Sequence, residues 1–170
     1  MKIVAIVPMK LNNRRLPQKN TKSFTNGKPL CWYILSTLLK VDGIDEVYVY
    51  CSNPDIQKFI PDGVHYLKRS ESLDQDTTKM NEVLKAFAKD IPADVYVMTH
   101  TTAPFVTSES IKKGVDAVLF GDYDSAFAAK KLQDFLWKDG VPFNYKLDNI
   151  PRTQDIPALY EETSGFNIYR

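Results

Sequence analysis

Between Lys79 and Ile91 the apolar side chains Met80, Val83, Leu84, Phe87, Ala88 and Ile91 follow one another at steps of 3, 1, 3, 1 and 3 residues. That spacing puts all six on one side of an α-helix and leaves the other side polar. Val95–Thr99 (VYVMT) follows almost at once, and a short β-branched and aromatic run of this kind reads as a strand. A one-faced helix feeding directly into an apolar strand has to bury that face against a sheet, which restricts the chain to layered α/β arrangements.

The same alternation runs along the rest of the chain. Lys2–Val7 (KIVAIV) reads as a buried strand closed by proline, and Pro8–Pro29 as a long polar loop. Leu30–Val41 reads as a helix with Ile34, Leu35, Leu38 and Leu39 along one side. Glu46–Cys51 is a second strand, Asp55–Ile60 a short helix and Val64–Leu67 a short strand. Thr107 suits the N-cap of a helix carrying Ile111, Val115, Val118 and Leu119. Ser125–Ala129 reads as a strand, Asp139-Gly140 between FLW and PFNY as a hairpin turn, 146–164 as irregular and Gly165–Tyr169 as a final strand. Phe87, Trp32 and Tyr33 read as core, and His65 as an ordinary strand-edge residue.

Strands alternating with amphipathic helices predict a three-layer α/β domain with a largely parallel, Rossmann-like sheet. The 170 residues suit one domain, 1–170, with the hairpin region as a candidate protrusion. There is no internal repeat, and no apolar run approaches the roughly 18 residues of a membrane span. The apolar N-terminus stops at Pro8, so it reads as a first strand rather than a secretory signal. Cys31 and Cys51 show no metal or redox spacing, which suits reduced core thiols in a cytoplasmic protein. The chain stops at Arg170 directly after an apolar strand-like segment, so truncation of a longer protein is an open reading.

Charge marks out one region. Residues 1–41 hold eight Lys or Arg and no Asp or Glu, whereas the remainder holds 14 basic and 21 acidic residues, for a net charge of +1. Lys10, Arg14, Arg15, Lys19, Lys22 and Lys28 all fall between Pro8 and Pro29. A local anion site accounts for this cluster; by charge alone a solvated basic loop does so too. The loop leaves the carboxyl end of the first strand, where parallel sheets bind their ligands. It has no GK[ST] and no GxGxxG, so it is neither a Walker loop nor a dinucleotide fingerprint. Lys10, Arg14 and Lys19 supply spaced cations, and Asn12, Asn13 and Asn20 neutral polar groups, as a triphosphate requires.

These residues carry a family resemblance. Residues 10–20, KLNNRRLPQKN, and Asn26–Leu30, NGKPL, resemble the ARxxSKxxPxKN-like loop and xxGKPL turn of the acylneuraminate cytidylyltransferases. Residues 7–19 are equally similar to the IPARxxSxRLPxK form of the Kdo cytidylyltransferases, and Asn20 tilts the match toward the acylneuraminate side. Leu67–Thr77, LKRSESLDQDT, resembles the RPxELAxDxT element, and His100–Thr107, HTTAPFVT, resembles QPTSPLRT. Pro151-Arg152 and SGFNIY resemble the PRQ and NGAIY elements. Each motif is weak alone, but four in order cover nearly the whole chain.

The resemblance implies an enzyme that couples CTP to a 2-keto, sialic-acid-like sugar acid, giving a CMP-sugar and pyrophosphate. It implies Lys10, Arg14 and Lys19 as the catalytic cations, with Asn13, Asn20, Arg69, Asp76 and Thr77 binding nucleotide. Arg69 would read the cytosine, while Asp76-Thr77 would shape the loop entering the next helix. His100 and Arg152 would face the sugar acid; from the residues alone, Arg152 could instead pair with Asp148, Asp155 or Glu161, and His100 could be a satisfied strand-end histidine. Mg²⁺ is implied as cofactor, but the family's late carboxylates lie beyond Arg170, leaving the metal ligands unassigned. A homodimer through a 132–160 arm is also implied, with Arg152 serving the neighbouring subunit; neither nucleic acid nor a membrane is expected as partner. Phe135, Leu136, Trp137, Phe143 and Tyr145 point the same way, since an isolated hairpin cannot bury five large apolar groups.

The chain departs from the family at several positions. Lys10 and Arg14 exchange the usual Arg and Lys, His100-Thr101 stands for Gln-Pro, and Val106 for Arg. Two other readings therefore stand beside the first. One is a nucleotide-binding homologue without catalysis. The other is a sugar-1-phosphate nucleotidyltransferase, against which the lack of a glycine-rich LxAGxGxR loop counts.

Overall fold

The structure is a computed structural model that describes residues 1–13 and 16–170. It divides into two compact units, Met1–Phe127 with Ser164–Arg170, and Ala128–Thr163. Strands β1 (Ile3–Pro8), β2 (Glu46–Cys51), β3 (Val64–Lys68), β4 (Val95–Thr99), β5 (Ser125–Leu132) and β8 (Leu159–Tyr169) form one sheet in the order β3-β2-β1-β4-β8-β5. Pairings β1·β2, β1·β4 and β2·β3 are parallel, and β4·β8 is antiparallel. The sheet is therefore mostly parallel but mixed.

The sequence pattern explains the layers. The helix expected over 79–91 is α2 (Met80–Asp90), and its buried Val83 and Phe87 join Val4, Ile6, Tyr50, Tyr96 and Met98 in one cluster. Three aromatic rings meet Phe87 edge-on from Tyr48, Tyr50 and Tyr96. Helix α3 (Ser108–Phe120) starts at Thr107, whose Oγ1 accepts from the Ser110 amide at 3.2 Å, so the expected cap forms. It approaches the opposite face so closely at Gly114 that a Cβ there would sit 2.7 Å from Ile168 Cδ1 and 2.9 Å from Phe166 Cε2. Helices on both faces make the three layers expected. Among the described residues no helix is long and apolar enough to cross a membrane.

Helix α1 (Leu30–Leu38) ends three residues short of the expected Val41, and buries Cys31, Ile34, Leu35 and Leu38. Both cysteines are buried and unbridged, and burial pushes the Cys31 thiol up to about 12, the behaviour of an inert core thiol. Trp32 and Tyr33 are only half-buried, contrary to the expectation of core positions. They instead fasten the NGKPL turn, with Lys28 over the Trp32 ring and Asn26 bonded to the Tyr33 hydroxyl at 2.9 Å. His65 is exposed and lies against Tyr48 at the sheet edge, as expected.

The largest difference from the sequence pattern lies in β8. It begins at Leu159, six residues before the expected Gly165, and runs 11 residues. Its first half, Tyr160–Glu162, is exposed on successive residues, so it carries no apolar alternation to read.

In the second unit, β6 (Trp137–Lys138) and β7 (Val141–Pro142) form the hairpin around Asp139-Gly140. Asp139 at φ 50° and Gly140 at φ 81° both have the left-handed backbone of a type I′ turn. Asn144 braces it, accepting from the Leu136 amide and donating to the Asp134 carbonyl, both at 2.9 Å. Tyr145 meets Phe135 and Trp137 edge-on, yet Trp137 and Phe143 stay 57% and 55% exposed.

Candidate functional site

The order β2-β1-β4 places a topological switch at the carboxyl ends of β1 and β4, where one connection leaves to each side. A cavity of about 240 Å³ opens there. Pro8, Met9 and Lys10 line it from the end of β1, and His100, Thr101 and Thr102 from the end of β4. Asn13, Lys19 and Asn20 enter from the basic loop, and Arg69 from the end of β3. Three chain segments distant in sequence thus bring most of the candidate residues to one opening.

The expectation that the basic loop converges on one cleft holds for Lys10 and Lys19. Arg14 and Arg15 lie outside the described residues. Lys10 Nζ donates to the Asp74 carbonyl at 3.0 Å and to Asp76 Oδ1 at 3.2 Å. Asp76 therefore contributes by holding Lys10, while Asp76 and Thr77 are exposed in the turn before α2 and do not line the cavity. Their neighbours Gln75 and Thr78 do.

Arg69 is 4% exposed, and its guanidinium is paired with Asp74, whose other oxygen accepts from Ser52 Oγ at 2.5 Å. The backbone arranges this pair: the Arg69 amide bonds to the Cys51 carbonyl at 3.0 Å, and the Glu71–Asp74 3₁₀ turn, capped by Ser70, swings Asp74 back over it. Among the described residues Arg69 Nε is buried and without a partner, as is Asn13 Oδ1.

Asn20 is nearly fully buried and serves as a tie. Its Nδ2 donates to the Lys10 carbonyl at 3.0 Å, its Oδ1 accepts from Thr101 Oγ1 at 2.8 Å, and its carbonyl accepts from the Cys31 amide at 3.0 Å. His100 is half-buried; desolvation, and secondly the positive charge of Lys19, lower its pKa and favour the neutral imidazole. Arg152 belongs to the second unit, where it is exposed and bonds bidentately to Asp155 at 2.7 and 3.2 Å. Among the described residues no three His, Cys, Asp or Glu side chains gather as a metal site would require.

Sequence reasoning missed Asp74, Ser52 and the hydroxyl role of Thr101. Asp74 lies inside LKRSESLDQDT but outside the letters that carry that motif. Thr101 stands out only as a departure from proline, which has no hydroxyl to donate.

A basic-lined crevice at the switch point of a mostly parallel sheet defines a nucleotide-handling α/β protein. The profile of the cytidylyltransferase family matches residues 4–169, and the chain belongs to that family, a family of nucleotidyltransferases. A CMP-N,N'-diacetyllegionaminic acid synthase of Legionella pneumophila is 29% identical over 126 residues, covering 68% of this chain and 53% of the relative. The chain thus spans about half the length of that curated relative. Among solved structures, a CMP:2-keto-3-deoxy-manno-octonic acid synthetase complexed with CTP matches with a TM-score of 0.76 at 19% identity, covering all of this chain and 74% of that one. The bifunctional IspDF of Campylobacter jejuni matches at 0.67 and 16%, over all of this chain and 41% of the other. These structural likenesses establish the fold.

Proposed function

We propose that the protein transfers CMP from CTP to the hydroxyl of a 2-keto sugar acid of the sialic-acid-like class. The hydroxyl oxygen bonds to the α-phosphorus, the bond to the β-phosphate bridge breaks, and pyrophosphate leaves as the hydroxyl proton is lost. The observation that carries this reading is the gathering of Lys10, Lys19, Arg69 and His100 on one cavity at the ends of β1 and β4. In-line phosphoryl chemistry needs mainly positioning and charge neutralisation, which two ammonium groups at a strand end supply. Arg69 and Asn13 are assigned to the base and His100 to the sugar acid, while Arg152 is assigned to the sugar-acid carboxylate in the site of the neighbouring subunit, for which Asp155 must let go. Mg²⁺ enters as the counter-ion of CTP. The described residues do not form a protein-held metal site, and no step is assigned to the metal. Buried unbridged thiols support a cytoplasmic setting.

Pyrophosphate release from CTP in the presence of candidate sugar acids tests the reaction. Tight CTP binding with no release for any acid would favour the non-catalytic reading that His100-Thr101 and Val106 raise. CTP is expected to bind more tightly than ATP, and Arg69→Ala to lower CTP affinity about tenfold to a hundredfold, the worth of a hydrogen bond to a charged group. Equal affinity of the parent protein for both nucleotides would remove the case for cytidylyl transfer.

A homodimer through 132–160 belongs to the same proposal. Phe135, Trp137, Val141, Phe143, Leu147 and Ile150 are all exposed within this one segment, a concentration that monomer surfaces rarely show. Sedimentation at micromolar concentration is expected to give twice the chain mass, and Trp137→Ser with Phe143→Ser to give the monomer. A parent protein that sediments as a monomer would end the dimer proposal.

A further inference from the structure

We infer that Thr101 is a positioning residue for the cationic loop, acting through Asn20 on Lys10; this rests on the triphosphate reading of the cavity. Thr101 is 6% exposed and Asn20 4%, so the bond between them is shielded from water. Thr101 Oγ1 donates to Asn20 Oδ1 at 2.8 Å, and Asn20 Nδ2 passes the constraint to the Lys10 carbonyl at 3.0 Å. The chain segments so joined are 81 residues apart and follow β4 and β1, the two strands that flank the crevice.

A neutral amide can tie two partners only in one orientation. The Lys10 carbonyl accepts, so the Asn20 amino group must face it, and Oδ1 must then find a donor. Thr101 is that donor. Without it, a buried carbonyl oxygen loses its bond and the amide gains a reason to rotate away from Lys10. Among the described residues the Lys10 backbone is otherwise sparsely anchored, with the nearest main-chain bonds at Met9 to Tyr50 (3.1 Å) and Asn13 to Leu11 (3.0 Å). The tie therefore fixes the backbone from which the Lys10 side chain reaches Asp74 and Asp76, and couples it to Thr101 at the end of β4.

The test uses Thr101→Val, which keeps shape but not the hydroxyl, and Thr101→Ser, which keeps the hydroxyl. Thr101→Val is expected to weaken binding of inorganic triphosphate and of CTP about tenfold by calorimetry, and Thr101→Ser to stay within about twofold of the parent. In a Lys10→Met background, Thr101→Val is expected to add less than about twofold, because the effect travels through Lys10. A merely structural role would cost the same in both backgrounds and would sink the inference. Hydrogen exchange without ligand reads the tie separately. Thr101→Val should speed exchange at the Asn13, Lys19 and Cys31 amides and leave β3 unchanged. Parental exchange at those amides overturns the inference, whatever the nucleotide results. A parent protein that binds neither triphosphate nor CTP overturns the proposed function, and the exchange measurement still decides the tie.

Discussion

Asp74→Ala is expected to destabilise the protein by about 3–5 kcal/mol, because it strands the Arg69 guanidinium without its partner. Arg69 is 4% exposed and its Nε has no partner among the described residues, so the Asp74 carboxylate is the group seen to balance its charge. Ser52 loses its acceptor in the same step. For a chain of this size the loss corresponds to a fall in Tm on the order of 10 °C. Asp74→Leu combined with Arg69→Met removes both charges and should recover most of the stability, since a buried pair is worth little against well-packed apolar groups. That double variant should still lose CTP selectivity, which separates the structural duty of the pair from its duty toward the base. Urea denaturation of the three proteins checks this. A loss below about 1 kcal/mol in Asp74→Ala would mean the guanidinium is not held by this carboxylate.

Lys10→Met and Lys19→Met are expected to do the opposite, sparing stability and abolishing chemistry. The Lys10–Asp76 ion pair is partly exposed, and such pairs contribute about 0–1 kcal/mol. In a closed crevice the same ammonium groups would meet the charge that grows on the phosphates as pyrophosphate departs. Removing one such contact typically costs on the order of a hundredfold in turnover or more. Pyrophosphate release by each variant, measured beside its urea midpoint, is the check. Parental turnover in both variants would leave the basic loop as a solvated surface feature.

The layers of the fold were legible because burial imposes a period on the chain. Val83 and Phe87 in α2, the unbroken apolar run of β1 and the Thr107 cap each announce themselves within a few residues, and the structure places all three as their patterns require. Where the pattern is silent the reading failed: Tyr160–Glu162 belong to β8 with their side chains in solvent, and Trp32 and Tyr33 carry apolar bulk that serves a surface turn. Lys10, Asn13, Lys19 and Asn20 were legible as a candidate cluster from their spacing after the first strand, whereas Arg69 and His100 were singled out only through the family resemblance; all six line one cavity.

Three of these side chains are held by partners 5 to 81 residues along the chain. Arg69 became a buried, paired guanidinium through Asp74 and Ser52, Asn20 became a tie through Thr101, and Lys10 was placed by Asp74 and Asp76. Periodicity is a local consequence of one chain segment facing one environment, so the sequence alone determined which segments fold and which face they bury. Hydrogen bonds and ion pairs depend on angles and on distances of about 3 Å between segments brought together by the fold, so only the tertiary structure decided which partners hold the residues of the candidate site.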